Sequence, residues 1–273
     1  MKLVSGKGSE KTGACWMSAV HWYTRGGKKS WTDQPECVSP IVRHLCISLN
    51  DFLPSDAERE RLIGPHLFAP VGTNTGNDDE GKRWALCSDR AARLFAPFWL
   101  RRTKKPDLIK HAEACESIAP IVDQETAKAA LPTLKAAEKA ASASASASAY
   151  ASAYASASAY ASAYAYASAY AYASASASAY ASAYASASAY AYASASAYAS
   201  AYASASAYAS AYASAYAYAS AYASASKAEK EWINQEVLKL ILECCAIGRQ
   251  PEEAVASKTR SEVLEFLCSF DGK

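Results

Sequence analysis

The chain has 273 residues, with 28 Lys and Arg against 26 Asp and Glu, for a formal net charge of +2. That length allows about two ordinary domains, and so even a charge balance gives no electrostatic case for a nucleic acid or an anionic membrane as partner. Every charged residue lies outside an 86-residue block, Ala141 to Ser226, built only from Ala, Ser and Tyr.

In chain order, Met1 to Thr12 is polar and glycine-rich and lacks an apolar core, so no signal peptide is expected. No run of about 18 strongly apolar residues occurs, so no membrane span is expected. A cytoplasmic or virion-associated protein is the resulting expectation. Gly6-Lys7-Gly8-Ser9-Glu10-Lys11-Thr12 resembles a phosphate loop only superficially. It is one residue short, lacks the glycine before Lys11 and follows too little chain for a strand.

Ser39 and Pro40 form an N-cap and first-turn pair for a helix with Ile41, Val42, Leu45, Cys46 and Leu49 on one side. Ser55 caps a short helix through Ile63, stopped by Gly64 and Pro65. Val71 to Gly81 reads as an exposed loop. A helix over 79–100 turns Trp84, Cys87, Ala91, Leu94, Phe95 and Phe98 to one side, ended or kinked by Pro97. Pro106 starts another, with Leu108, Ala112 and Cys115 inward, and Pro132 to Lys139 is helical in pattern.

The repeat is strict. Every odd position from Ala141 to Ala225 is Ala, and the even positions hold 25 Ser and 18 Tyr. A two-residue period is the strand signature, placing methyls on one face and hydroxyls and phenols on the other. In one long α-helix the tyrosines would scatter around the cylinder. A silk-like sheet or an aggregation-prone tract is a third reading, since the block has no Gly, Pro, Asn or Asp for hairpin turns. The favoured expectation is a narrow β-solenoid with Ala inward. Of the 16 tyrosines with a position ten residues on inside the block, 10 find another Tyr there. Random placement gives between six and seven, so a ten-residue coil is preferred. Tyr150, Tyr160, Tyr170, Tyr180 and Tyr190 form one row, and Tyr192, Tyr202, Tyr212 and Tyr222 another. These rows are the candidate surface-presenting residues.

After the repeat, Lys227 to Ile247 predicts an amphipathic helix with Trp232, Ile233, Val237, Leu240, Ile241 and Cys244 in its stripe, Gly248 closing it. A second helix is expected from about Ser261 to Ser269. These 47 residues are too few for a secure core, so they pack on the N-terminal part or cap the rod. The expected fold is therefore α+β in several parts: a mostly α-helical globular domain over 1–125, a helical linker or cap over 126–140, the repeat rod over 141–226, and C-terminal helices over 227–273.

Thr12 to Ala19, Thr-Gly-Ala-Cys-Trp-Met-Ser-Ala, resembles the nucleophile segment of papain-like cysteine proteases, with a Cys at a helix start followed by an aromatic residue. That resemblance implies Cys15 as nucleophile. A helix N-terminus favours a thiolate, and His66, or less well His44, would take the proton. The chain departs from the pattern where Ser9 replaces the oxyanion-stabilising Gln, and no Asn-His pair follows. The competing reading of Cys15 is a small residue buried at a helix start. His21 and His111 read as structural, and Arg101, Arg102, Lys104 and Lys105 as a solvated helix end. The eight cysteines contain no CxxC pair, so buried reduced thiols, no metal and no cofactor are expected.

Lys2 to Gly8, Gly13 to Ala19, Glu36 to Asp51 and Pro65 to Pro70 together resemble a group of uncharacterised phage and bacterial proteins that join such a globular start to a dipeptide repeat. The resemblance implies a phage or prophage origin and no activity. The functional expectation is a non-enzymatic structural repeat that self-associates or displays a Ser/Tyr face to a glycan or to ice. A cysteine hydrolase with the repeat as spacer is the alternative.

Overall fold

A computed structural model describes residues 3–6, 8–9, 12–25, 31–142, 225–248, 264, 265 and 268. The chain divides into two compact units, Met1–Leu86 with Ala225–Lys273, and Cys87–Ser224. Each is taken by itself.

The first unit opens with a small antiparallel pair, β1 (Gly8–Ser9) and β2 (Gly13–Ala14), joined by a bridge from Leu3 to Ala14. Gly8 has φ +73°, and a Cβ there would stand 2.2 Å from the Gly13 carbonyl oxygen. Only glycine meets both conditions. Helix α1 (Trp16–Thr24) follows and buries Trp16, Met17, Ser18, Ala19, Val20, Trp22 and Tyr23, nearly its whole circumference. A helix apolar all round belongs in the middle of a core.

Helix α2 (Pro40–Phe52) starts as its sequence predicts, with the Ser39 hydroxyl accepting from Val42 N and Pro40 in the first turn. It buries Val42, Cys46, Leu49 and Asn50. Asn50 is 1% exposed and joins three segments. Its Nδ2 donates to the Val4 carbonyl at 2.9 Å, and its Oδ1 accepts from Trp16 N at 3.3 Å. Helix α3 (Asp56–Ile63), capped by Ser55, supplies Arg59, whose guanidinium donates to the carbonyls of Asn50 (2.7 Å) and Leu53 (2.6 Å). The end of α2 is thus closed by a buried side chain rather than by water. A 3₁₀ turn at Gly64–His66 ends α3.

The helix after the loop begins earlier than the sequence reading had it. Helix α4 (Asn77–Arg90) starts with Asp78, Asp79 and Glu80 in its first turn, where carboxylates suit the positive end of the helix dipole. The expected loop through Gly81 therefore stops at Gly76.

The chain re-enters the first unit at Ser226. Its hydroxyl accepts from Glu229 N while the Glu229 carboxylate accepts from Ser226 N, a capping box that opens helix α8 (Lys227–Ala246). Helix α8 packs on α2 and α3. It buries Ile233, Asn234, Leu238, Leu240, Ile241, Cys244 and Cys245, so Trp232 and Val237, expected inward, are only half-buried. Its far end is held by Arg83, whose side chain is fully buried. Nε donates to the Cys244 carbonyl at 3.0 Å, Nη2 to the carbonyl of Ile247 and to Thr75 Oγ1, and Nη1 pairs with Glu80 at 2.7 Å. Gly248 follows with φ +65°, and a Cβ there would overlap Asp79 Oδ2. Leu264, Glu265 and Cys268 are helical.

The second unit contains the end of α4, a π-type turn at Ala91–Phe95, and then α5 (Ala96–Arg102), α6 (Pro106–Glu116) and α7 (Gln124–Ser142). Pro97 does not end the helical run. Ala96 N bonds back five residues to Ala91 O, widening the turn where the proline ring would meet the carbonyl four residues earlier. Of the expected inward row Trp84 is buried, while Cys87, Ala91, Leu94, Phe95 and Phe98 are only half-buried and Ser88, Ala92, Ala96 and Trp99 are buried in their place. Helix α6 buries Leu108, Ala112 and Cys115, as predicted. Helix α7 packs on α6 and buries Ala127, Ala130, Leu134, Ala137 and Ala141. Pro132 lies inside it on the exposed side, where a backbone carbonyl left without its helical donor is open to solvent.

The α+β expectation with a narrow β-solenoid is overturned. The described residues are mostly helical, and their only strands are the two-residue pair near the start of the chain. The solenoid was to begin at Ala141, yet α7 runs through Ala141 and Ser142. Each helical residue needs only the carbonyl four behind it, and alanine is the best helix former, whereas a coil needs a neighbouring coil. The tyrosine rows, Tyr150 to Tyr190 and Tyr192 to Tyr222, lie outside the described residues.

Replacing Asn50 by Leu leaves the Val4 carbonyl and Trp16 N–H buried without their partner. Stability is expected to fall by about 2–3 kcal/mol, measured by urea unfolding. Arg83→Met is expected to cost about as much and to speed hydrogen exchange in the last turn of α8 more than in α2.

Candidate functional site

Cys15 is the N-cap of α1, so sequence reasoning placed it at the right kind of position for thiolate chemistry. Its surroundings work the other way. The residue is 4% exposed. Its Sγ accepts from Ser18 N at 3.3 Å and donates to Ser18 Oγ at 3.2 Å, so the thiol proton is already in use. Burial pushes the Cys15 thiol above its ordinary range, outweighing the hydrogen bonds from Ser18 and Met17 that pull it down. A nucleophilic cysteine needs the opposite shift.

The histidines sit on separate elements. His66 is half-buried in the 3₁₀ turn. The neighbouring Leu67 carbonyl accepts from the buried Trp16 indole at 2.8 Å, a bond that ties this turn to α1. His44 is half-buried on α2, where burial and then Arg43 lower its pKa. His21, on α1, is lowered by burial and Arg25, and its buried Nδ1 has no hydrogen-bond partner among the described residues. The glycine-rich start is already committed internally, because Gly6 N donates to Asp51 Oδ1 at 2.9 Å. The basic run is a helix end. Arg101 is paired with Glu116, and Arg102 lies 5.6 Å from the Trp99 ring centroid. Among the described residues no three ligand-type side chains meet as a metal site, and no helix is long and apolar enough to cross a membrane.

Two features escaped the sequence reading. The buried Arg83 had no legible signal, because an arginine in a charged helix reads as solvated. The Ser226–Glu229 capping box was legible from its spacing. Its serine was counted as repeat and so not as a cap. No known protein family, curated protein or solved structure matches this chain.

The titrations fix a pH window. A buried thiol keeps its proton in the fold at pH values where the unfolded chain has lost it, so stability falls as pH rises above about 9, the ordinary thiol value for Cys15 and Cys46. His44 and His21 favour the neutral form in the fold, so stability present above 6.5 is lost as pH falls through their lowered values. Unfolding free energy measured across pH is expected to be highest between these limits. Iodoacetamide at neutral pH is expected to label the exposed Cys268 well before Cys15.

Proposed function

We propose that this chain is a non-enzymatic structural protein in which helical units carry an Ala-Ser/Tyr insert that self-associates. The observation that supports this reading is the placement of α8. That helix begins at the last serine of the repeat and packs on α2 and α3. The chain beyond the repeat is therefore part of the same compact unit as residues 3–86. The repeat follows α7 of the second unit and precedes α8 of the first, so a folded helix stands at each of its boundaries. Its chemistry is limited to methyl, hydroxyl and phenol groups, which suit packing and stacking and supply no acid, base or metal ligand near neutral pH. The uncharged block also lacks the like-charge repulsion that keeps chains apart. A phage-borne structural role agrees with the resemblance of the flanks.

Sedimentation velocity over a range of concentrations tests this. The expected result is a mass-average size that rises with concentration and drops to monomer when all 18 repeat tyrosines become Ser, with the thermal unfolding of the helical units unchanged. A chain that stays monomeric throughout overturns self-association. Binding on a glycan array, or thermal hysteresis in ice growth, would then identify a display role for the same surface.

A further inference from the structure

Helix α8 is seated on residues that lie before the repeat. Its start is closed within its own first turn, by Ser226 and Glu229. Its body packs on α2 and α3 and buries Ile233 and Ile241 completely. Arg61 Nη2, on α3, donates to both carboxylate oxygens of Glu231 at 2.9 Å. Arg83 donates to the carbonyls of Cys244 and Ile247 at the far end. These contacts all join α8 to the stretch 3–86, and the residues between the two stretches, 87–224, belong to the other compact unit. Without α8, the first unit would expose an apolar face and leave the Arg83 guanidinium short of acceptors, which is costly. A second copy of the chain presents the same helix, with the same apolar row, the same Glu231 and the same terminal carbonyls. It can make every contact of the closed form, and the two arrangements differ in how the helix is tethered. The advantage of the chain's own helix falls as the connection lengthens, and here the connection is residues 87–224.

We propose that the α2–α3 face accepts α8 from a second copy of this chain, so that two copies exchange the helix reciprocally and form a dimer. Each first unit in that dimer is complete, with its α8 supplied by the other copy. Exchange starts from chains whose α8 has left its seat, as it has during folding, and needs a protein concentration high enough for the other copy to compete. A chain that has folded in dilute solution keeps its own α8 and stays closed. No repeat tyrosine takes part, so the exchange does not depend on association through the repeat.

The test uses full chains carrying Arg61→Lys. That side chain is nearly half exposed, and a lysine there keeps the ion pair while giving a carbodiimide an amine to join to Glu231. Chains of natural and heavy-nitrogen content are mixed in equal amounts in urea and refolded together at millimolar concentration. Monomer and dimer are then separated, crosslinked, digested and mapped by mass spectrometry. In the monomer, links from position 61 to Glu231 join peptides of one isotope, which also reports that the variant has folded with α8 in place. In the dimer, about half of these links are expected to join a light peptide to a heavy one, the share that random pairing of equal populations gives. Chains refolded separately in dilute solution and then mixed are expected to give same-isotope links only. A dimer from the concentrated refolding that carries only same-isotope links overturns the exchange and leaves association through the repeat standing. The absence of any dimer overturns both.

Discussion

A guanidinium with no exposure to solvent, that of Arg83, holds together parts of the first unit that lie far apart in the chain. A buried cation is costly unless it is paired and hydrogen-bonded. Here Glu80 supplies the countercharge, while Thr75 and the carbonyls of Cys244 and Ile247 take three further donors. The two carbonyls lie more than 160 residues from Arg83 in the sequence. The carbonyls are the ones that the end of a helix leaves without intrahelical donors. One side chain therefore closes α8 and attaches it to the start of α4. If the guanidinium were removed, Glu80 would lose its countercharge and the Cys244 and Ile247 carbonyls a donor each.

The same device recurs nearby. Arg59 closes the end of α2 through the carbonyls of Asn50 and Leu53, and the Asn50 side chain ties α2 to the segments that precede and start α1. Aliphatic and aromatic burial supplies the bulk of the stabilisation, at about 25 cal/mol per Å² of apolar surface. Buried polar side chains set which ends meet, because each has few ways to satisfy all its donors. The surface pair of Arg61 with Glu231 also joins α3 to α8, but both side chains are nearly half exposed, and such pairs contribute under about 1 kcal/mol.

This framework changes how the repeat is to be understood. Its period of two was read as two segregated faces, an argument about side chains. Helix α7 carries its alanine stripe, Ala127, Ala130, Ala137 and Ala141, up to and into the alternation. At that boundary the local preference of alanine decided the backbone, and alternation alone did not impose a strand. At the other boundary the last serine of the repeat serves as a helix cap. The edges of the block thus belong to the helices on either side of it. At Cys15 the same contest of local and tertiary effects recurs: the helix start is real, and burial opposes it by raising the thiol pKa.

Helices whose signals are local were legible in the residues alone. Ser39 with Pro40, Ser55 with Gly64 and Pro65, the start at Pro106 and the stop at Gly248 each act through a hydrogen bond or a backbone angle within a few residues, and all are found where the residues place them. Only the tertiary structure decided which face each helix buries around Pro97, where a π-type turn shifted the inward row, and that Arg83, Asn50 and Arg59 are interior residues. Those outcomes depend on partners far away in the chain, and the same residue types, read one at a time, are indistinguishable from a solvated surface.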